Sequence, residues 1–171
     1  STDVARFDGA PDMQFESTKA DVRVLAPMLA IETVAAGGGS ICTYDGLALN
    51  VGPQSAGADP GPACYGLGGT EPTVTDANVV VGHLPPRLLG GEMTLDVEGS
   101  TKAVATIGEA IGLDTEAAAE GILAIVNENM AGALRLVSVQ RGYDPRDFAL
   151  VAFGGAGPLH ANAVAELMGS F

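Results

Sequence analysis

The chain has 171 residues, with eight Lys and Arg against 21 Asp and Glu, a net charge of −13 and 47% apolar residues. That composition excludes a disordered tail or a coiled coil, and the charged fraction of only 17% points to a surface that meets other protein, a further domain or a subunit. The basic residues are scattered and form no stripe, which excludes a nucleic-acid surface that tracks phosphates.

An anionic ligand would therefore have to be held by backbone N–H groups, helix ends or a metal ion. Cys42 and Cys64 belong to no CxxC or Cys/His cluster, so a structural zinc site is not expected. Free thiols in a reducing compartment are expected instead, and with no basic-then-apolar leader the expected location is cytoplasmic. The longest uncharged run, residues 148–165, holds three glycines, a proline, a histidine and an asparagine. It suits a buried strand, turn and helix better than a membrane span.

In chain order, residues 1–7 read as a strand that begins abruptly, as if the chain started inside a folded element. Residues 21–25 alternate as a second strand. Residues 27–82 are rich in Gly and Pro, which forbids long regular elements but suits an ordered loop lining a site. Within them, Asp45-Gly46 predicts a hairpin joining residues 40–43 to 47–51. Ser100 can cap a helix that ends at Gly112, with Ala103, Val104, Ile107, Ala110 and Ile111 on one face. Asp114 can cap a longer helix whose apolar stripe runs from Ala119 through Ile122, Leu123, Val126, Met130, Ala133 and Leu134 to Val137. Residues 141–145 break it. A buried strand is then expected over 148–153, a glycine turn over 154–157, and a final helix over 158–168 with Pro at its start.

Several segments could carry chemistry. A strand feeding Gly154-Gly155-Ala156-Gly157 and a helix start is a recurring way to hold a nucleotide, because bare backbone and unpaired N–H groups face the ligand. It is neither a Walker A loop nor GxGxxG, and a ligand-free strand–helix connection remains equally open. Gly37, Gly38 and Gly39 must serve either a phosphate or a tightly packed neighbour. Asp59 and Asp76 are carboxylates in apolar loops. Each could position a water, a substrate amide or a metal, or could simply cap a turn. Cys64 reads as a small buried thiol rather than a nucleophile. His160, in the first turn of the last helix, could face a nucleotide or be a packed histidine. Arg141 and Arg146 are expected to pair with local acids.

Four stretches taken together resemble the hydantoinase A/5-oxoprolinase family, which includes ATP-dependent subunits of acetone and acetophenone carboxylases. They are residues 35–41 (AAGGGSI), 51–66 (VGPQSAGADPGPACYG), 72–78 (PTVTDAN) and 137–161 (VSVQRGYDPRDFALVAFGGAGPLHA). The resemblance implies an α/β fold: part of an actin/hexokinase/Hsp70-like ATPase, with a mixed sheet and flanking helices. It implies that residues 1–171 are a partial ATPase domain, cut at both ends.

It also implies ATP with Mg²⁺ or another divalent cation as cofactors. Gly154, Gly155, Ala156 and Gly157 would lie on the nucleoside side, and Gly38 and Gly39 would also belong to the cofactor site. Thr2 and Asp3 would lie near phosphate or metal, with Asp3 as the metal ligand, and Asp59 and Asp76 would be the catalytic carboxylates. The implied reaction is ATP-dependent opening of a small cyclic amide, a lactam or hydantoin. A hydantoinase B-type subunit or domain is the implied partner, in an oligomer that involves neither nucleic acid nor membrane. The alternatives are a ketone carboxylase subunit and a non-catalytic interaction module.

Overall fold

The structure, a computed structural model, describes residues 1–19 and 21–169. Ser170 and Phe171, on which the expected C-terminal cut falls, lie outside the described residues.

Residues 2–34 form a long antiparallel ribbon. β1 (Thr2–Ala5) pairs with β6 (Ile31–Val34), β2 (Met13–Gln14) with β5 (Met28–Leu29), and β3 (Ser17–Lys19) with β4 (Val22–Val24). The predicted strands at 1–7 and 21–25 are thus present but shorter. The predicted hairpin is present as β7 (Ser40–Tyr44) and β8 (Leu49–Ser55). Asp45 fixes its turn: Oδ1 accepts from the N–H groups of Leu47 and Ala48, both at 2.9 Å. Side-chain oxygens of Asp suit such turns because they replace backbone acceptors that the chain reversal removes.

Four helices follow. α1 (Val74–Val80) opens with a capping box between Thr73 and Asp76. α2 (Val97–Ile111) is reached after a short hairpin of β9 (Arg87–Leu88) and β10 (Met93–Thr94). Its cap is Asp96, whose Oδ1 accepts from Gly99 N at 2.8 Å, and it ends at Gly112 with φ +74°. The expected cap, Ser100, instead lies one turn inside the helix and is fully buried. Asp96 supplies an earlier cap, so the helix starts before the sequence pattern becomes apolar. α3 (Thr115–Val137) begins at the predicted Asp114 cap, which accepts from Ala117 N at 2.8 Å. α4 (Gly157–Met168) carries Pro158 in its first turn, as predicted.

The architecture is mixed α and β, but the expected mixed sheet is absent among the described residues: five separate two-stranded antiparallel pairs occur instead. The buried strand expected at 148–153 is also overturned. No strand forms there, and Val151 and Phe153 are 75% and 85% exposed. A strand requires a neighbouring backbone to complete its hydrogen bonds, and no described strand pairs with this segment.

The main core joins the predicted stripe of α3 to α1, α2, α4 and the β7–β8 hairpin. Val74, Val104, Ile122 and Val126 are wholly buried within it. Each such side chain contributes roughly 1.5–3 kcal/mol on leaving water. α3 is also long and apolar enough to cross a membrane by length and composition. Here its apolar stripe is covered by the other helices. A smaller cluster of Val4, Ala133 and Val137 seats the base of the ribbon on α3.

One buried carboxyl group holds this core to its loops. Asp76 is fully buried. Its Oδ1 accepts from Cys64 N at 2.9 Å and Ser100 Oγ at 2.7 Å. Its Oδ2 accepts from Ala63 N at 3.2 Å, Thr73 N at 3.1 Å and Thr73 Oγ1 at 2.7 Å. Removing the carboxylate would orphan several buried donors at once. Asp76→Ala should therefore lose on the order of 4 kcal/mol in urea denaturation, and Ser100→Ala about 1–2 kcal/mol. A loss below about 1 kcal/mol for Asp76→Ala would remove this carboxylate from its structural role.

Candidate functional site

The ribbon base, the glycine loop and α4 enclose a cleft of about 1060 Å³, at the upper end of the roughly 300–1,000 Å³ typical of small-molecule sites. Its walls come from both ends of the chain. Thr2 and Asp3 line it from β1, Gly38 from the loop before β7, and Gly154, Gly155, Ala156 and Gly157 from the turn into α4. The core helices supply Met130, Leu134, His160 and Val164.

Local bonds explain this convergence. The β1–β6 register sets Thr2 opposite Val34 and Asp3 opposite Thr33. Thr2 Oγ1 donates to Ala36 O at 2.7 Å, and Thr33 Oγ1 donates to Asp3 Oδ1 at 2.6 Å. Gly38 O accepts from both Thr75 N at 2.8 Å and Thr75 Oγ1 at 2.9 Å, which ties the glycine loop to the start of α1. A Cβ on Gly38 would lie 2.7 Å from Thr75 Oγ1 and 3.3 Å from the Ala156 Cβ. Its bare backbone is therefore required by packed neighbours while it also faces the cleft. Gly154 has φ +89°, a conformation that favours glycine, and begins the turn that sets α4's N-terminus on the cleft. Among the described residues no side chain caps that N-terminus, which leaves its partial positive charge to the cleft.

Other expected residues lie elsewhere. Gly39 does not line the cleft: a Cβ there would meet Ser55 Oγ at 2.9 Å, so its role in this structure is packing. Asp59 is exposed in the turn ahead of Pro60, outside the cleft. Asp76, wholly buried and saturated by its donors, occupies the capping alternative and has no open face for a substrate. Asp3 is the one of the three carboxylates that lies in the cleft. Among the described residues no group of three or more His, Cys, Asp or Glu side chains is placed to hold a metal.

Both cysteines are buried and free. Burial, reinforced by the nearby Asp76 charge, pushes each thiol up to about 12, so neither is a ready nucleophile. Arg146 pairs with Asp144 at 2.5 Å, as expected of a local ion pair.

Two contributors were not visible in the sequence. Arg6 lines the cleft, held by Asp12 at 2.9 and 2.6 Å with its guanidinium 4.1 Å from the Tyr143 ring centroid. An isolated arginine gives no sequence signal for such a contact. Asn127 is the second: its Oδ1 lies 2.8 Å from His160 Nδ1. A polar residue next to the apolar stripe of α3 was the signal available.

Residues 1–170 match the family model described as hydantoinase/oxoprolinase. The chain belongs to the hydantoinase/oxoprolinase family. It is similar to the solved structure of an ATP-dependent caprolactamase from Pseudomonas jessenii, with 48% identity and a TM-score of 0.81 over 91% of this chain and 23% of that one. It resembles the nucleotide-free structure of an acetone carboxylase at 31% identity and a TM-score of 0.85, over 95% of this chain and 23% of that one. A 5-oxoprolinase of Pestalotiopsis fici is 44% identical over 99% of this chain and 14% of its own length. The chain thus spans less than a quarter of the length of these relatives.

His160 is 2% exposed, and burial, with a further contribution from His83, lowers its pKa below the ordinary 6.5. The unfolded chain takes up this proton near pH 6.5 while the folded chain still excludes it, so the contribution to stability is intact above that value and declines as pH falls below it. Between about pH 7.5 and about pH 5, urea denaturation should show a steeper loss of stability for the wild type than for His160→Gln. Parallel pH profiles would refute this.

Proposed function

We propose that this chain forms the nucleoside-side wall of an ATP cleft in an ATP-dependent cyclic-amide hydrolase with an actin/hexokinase/Hsp70-like ATPase fold. The observation that carries the reading is the convergence of Thr2, Asp3, Gly38 and residues 154–157 on one cleft, although they are separated by most of the sequence. The residues fit a nucleotide: glycine backbone, a helix N-terminus without a side-chain cap, and a mostly apolar floor.

In this reading Gly154, Gly155, Ala156 and Gly157 border the nucleoside and Gly38 adjoins them. Gly39 supports the loop from behind. Thr2 and Asp3 face the phosphates, with Asp3 the candidate contact for Mg²⁺ or another divalent ion. Bound ATP supplies the phosphoryl group that activates the amide oxygen of a lactam or hydantoin. Asp59 is the remaining carboxylate candidate for the substrate side, while Asp76 maintains the scaffold. The sparse surface charge suits a hydantoinase B-type partner or domain and an oligomeric assembly. Two free, buried thiols suit the cytoplasm. A ketone carboxylase subunit is the second reading, favoured by the similarity to acetone carboxylase.

Gly155 gives a clean test. Its φ is not left-handed and a Cβ there would meet nothing within 4 Å, so a larger side chain enters the cleft without straining the fold. Gly155→Val should keep the wild-type melting temperature yet weaken equilibrium binding of labelled ATP by at least about 10-fold, a change of about 1.4 kcal/mol. Unchanged binding in the folded variant would sink the nucleotide assignment. In a longer protein carrying this segment, ATP consumption driven by a lactam without bicarbonate separates the hydrolase from the carboxylase.

A further inference from the structure

His160 holds a buried polar atom that the fold does not use. Asn127 Oδ1 lies 2.8 Å from His160 Nδ1, where it accepts a hydrogen bond in the tautomer that carries the ring proton on Nδ1. In the neutral ring Nε2 is then a lone-pair acceptor. This nitrogen is buried and has no hydrogen-bond partner among the described residues. Buried polar atoms are ordinarily satisfied, so an exception that lies beside a cleft calls for a partner such as a water, an ion or a ligand. His160 lines the cleft on the first turn of α4, directly after the glycine turn. Met130 and Val164, which share that wall, offer no side-chain N–H or O–H donor.

We propose that His160 Nε2 accepts a hydrogen bond from an N–H or O–H of the nucleoside half of the cleft's ligand, which makes His160 a specificity-determining residue. The proposal rests on the nucleotide reading above. Asn127 is the positioning residue: by accepting the hydrogen bond from Nδ1–H it fixes the tautomer that leaves Nε2 as an acceptor. An acceptor at this point selects for a donor on the ligand. On an adenine nucleotide the donor is either the exocyclic amine or a ribose hydroxyl. A base with a carbonyl at the amine's position would set two acceptors against each other.

The chain has two histidines, so imidazole ¹⁵N spectra resolve the matter directly, with His83→Gln supplying the assignment. In the free ¹⁵N-labelled chain, His160 should show a protonated Nδ1 and an unprotonated Nε2. Addition of ATP should shift Nε2 toward hydrogen-bonded values. Inosine triphosphate abolishes that shift if the donor is the exocyclic amine, and 2′-deoxy-ATP or 3′-deoxy-ATP abolishes it if the donor is the corresponding ribose hydroxyl. His160→Phe, similar in volume but without the acceptor, should weaken ATP binding about 10-fold. If ATP moves the Gly154, Gly155 and Gly157 amide signals while Nε2 stays unmoved, this inference is wrong and the nucleotide reading stands. If ATP moves neither, the nucleotide reading fails and this inference fails with it.

Discussion

The Asp76 carboxylate is the point through which the loops and helices of this chain are joined. Five donors from the turn at Ala63 and Cys64, from Thr73 and from Ser100 converge on its two oxygens. A buried carboxylate without such donors would be too costly to keep ionised. With them, it locks the start of α1 to the glycine- and proline-rich loop and to the flank of α2. Thr75, one residue before Asp76, then holds Gly38 O through its N–H and hydroxyl. The rigid centre thus reaches the cleft through a single turn of helix.

The cleft takes its shape from elements anchored in that centre. α3 carries the ribbon base through Ala133 and Val137, and supplies Asn127 to hold His160 on α4. The two walls that face each other are therefore fixed to one helix. The same frame recurs in a caprolactamase and in an acetone carboxylase, two proteins whose names describe different chemistries.

Much of this was legible in the residues. The Asp45-Gly46 hairpin, the Asp114 cap, the α3 stripe and the Pro158 helix start all follow from short-range chemistry, and the structure contains each of them. The four family stretches likewise identified the family. What was not legible depended on distant partners. Ser100 reads as a cap because Ser suits that position, but its hydroxyl is claimed by Asp76. Residues 148–153 read as a buried strand because they are apolar, but no adjacent backbone pairs with them. Asp76 and Asp59 looked equivalent as loop carboxylates. Only the fold distinguishes the saturated, buried one from the exposed one.

The cleft unites the first three residues of the chain with residues 154–157, whereas the Asp76 hub draws only on residues 63–100. Bringing chain ends together costs more loop-closure entropy than bringing near neighbours together. The hub and its helices should accordingly assemble early in folding, and the cleft should close last. Substitutions at the hub then act on how fast the chain folds, while those at the cleft act on how fast it opens. The cleft should then be able to open while the centre that supports it stays folded.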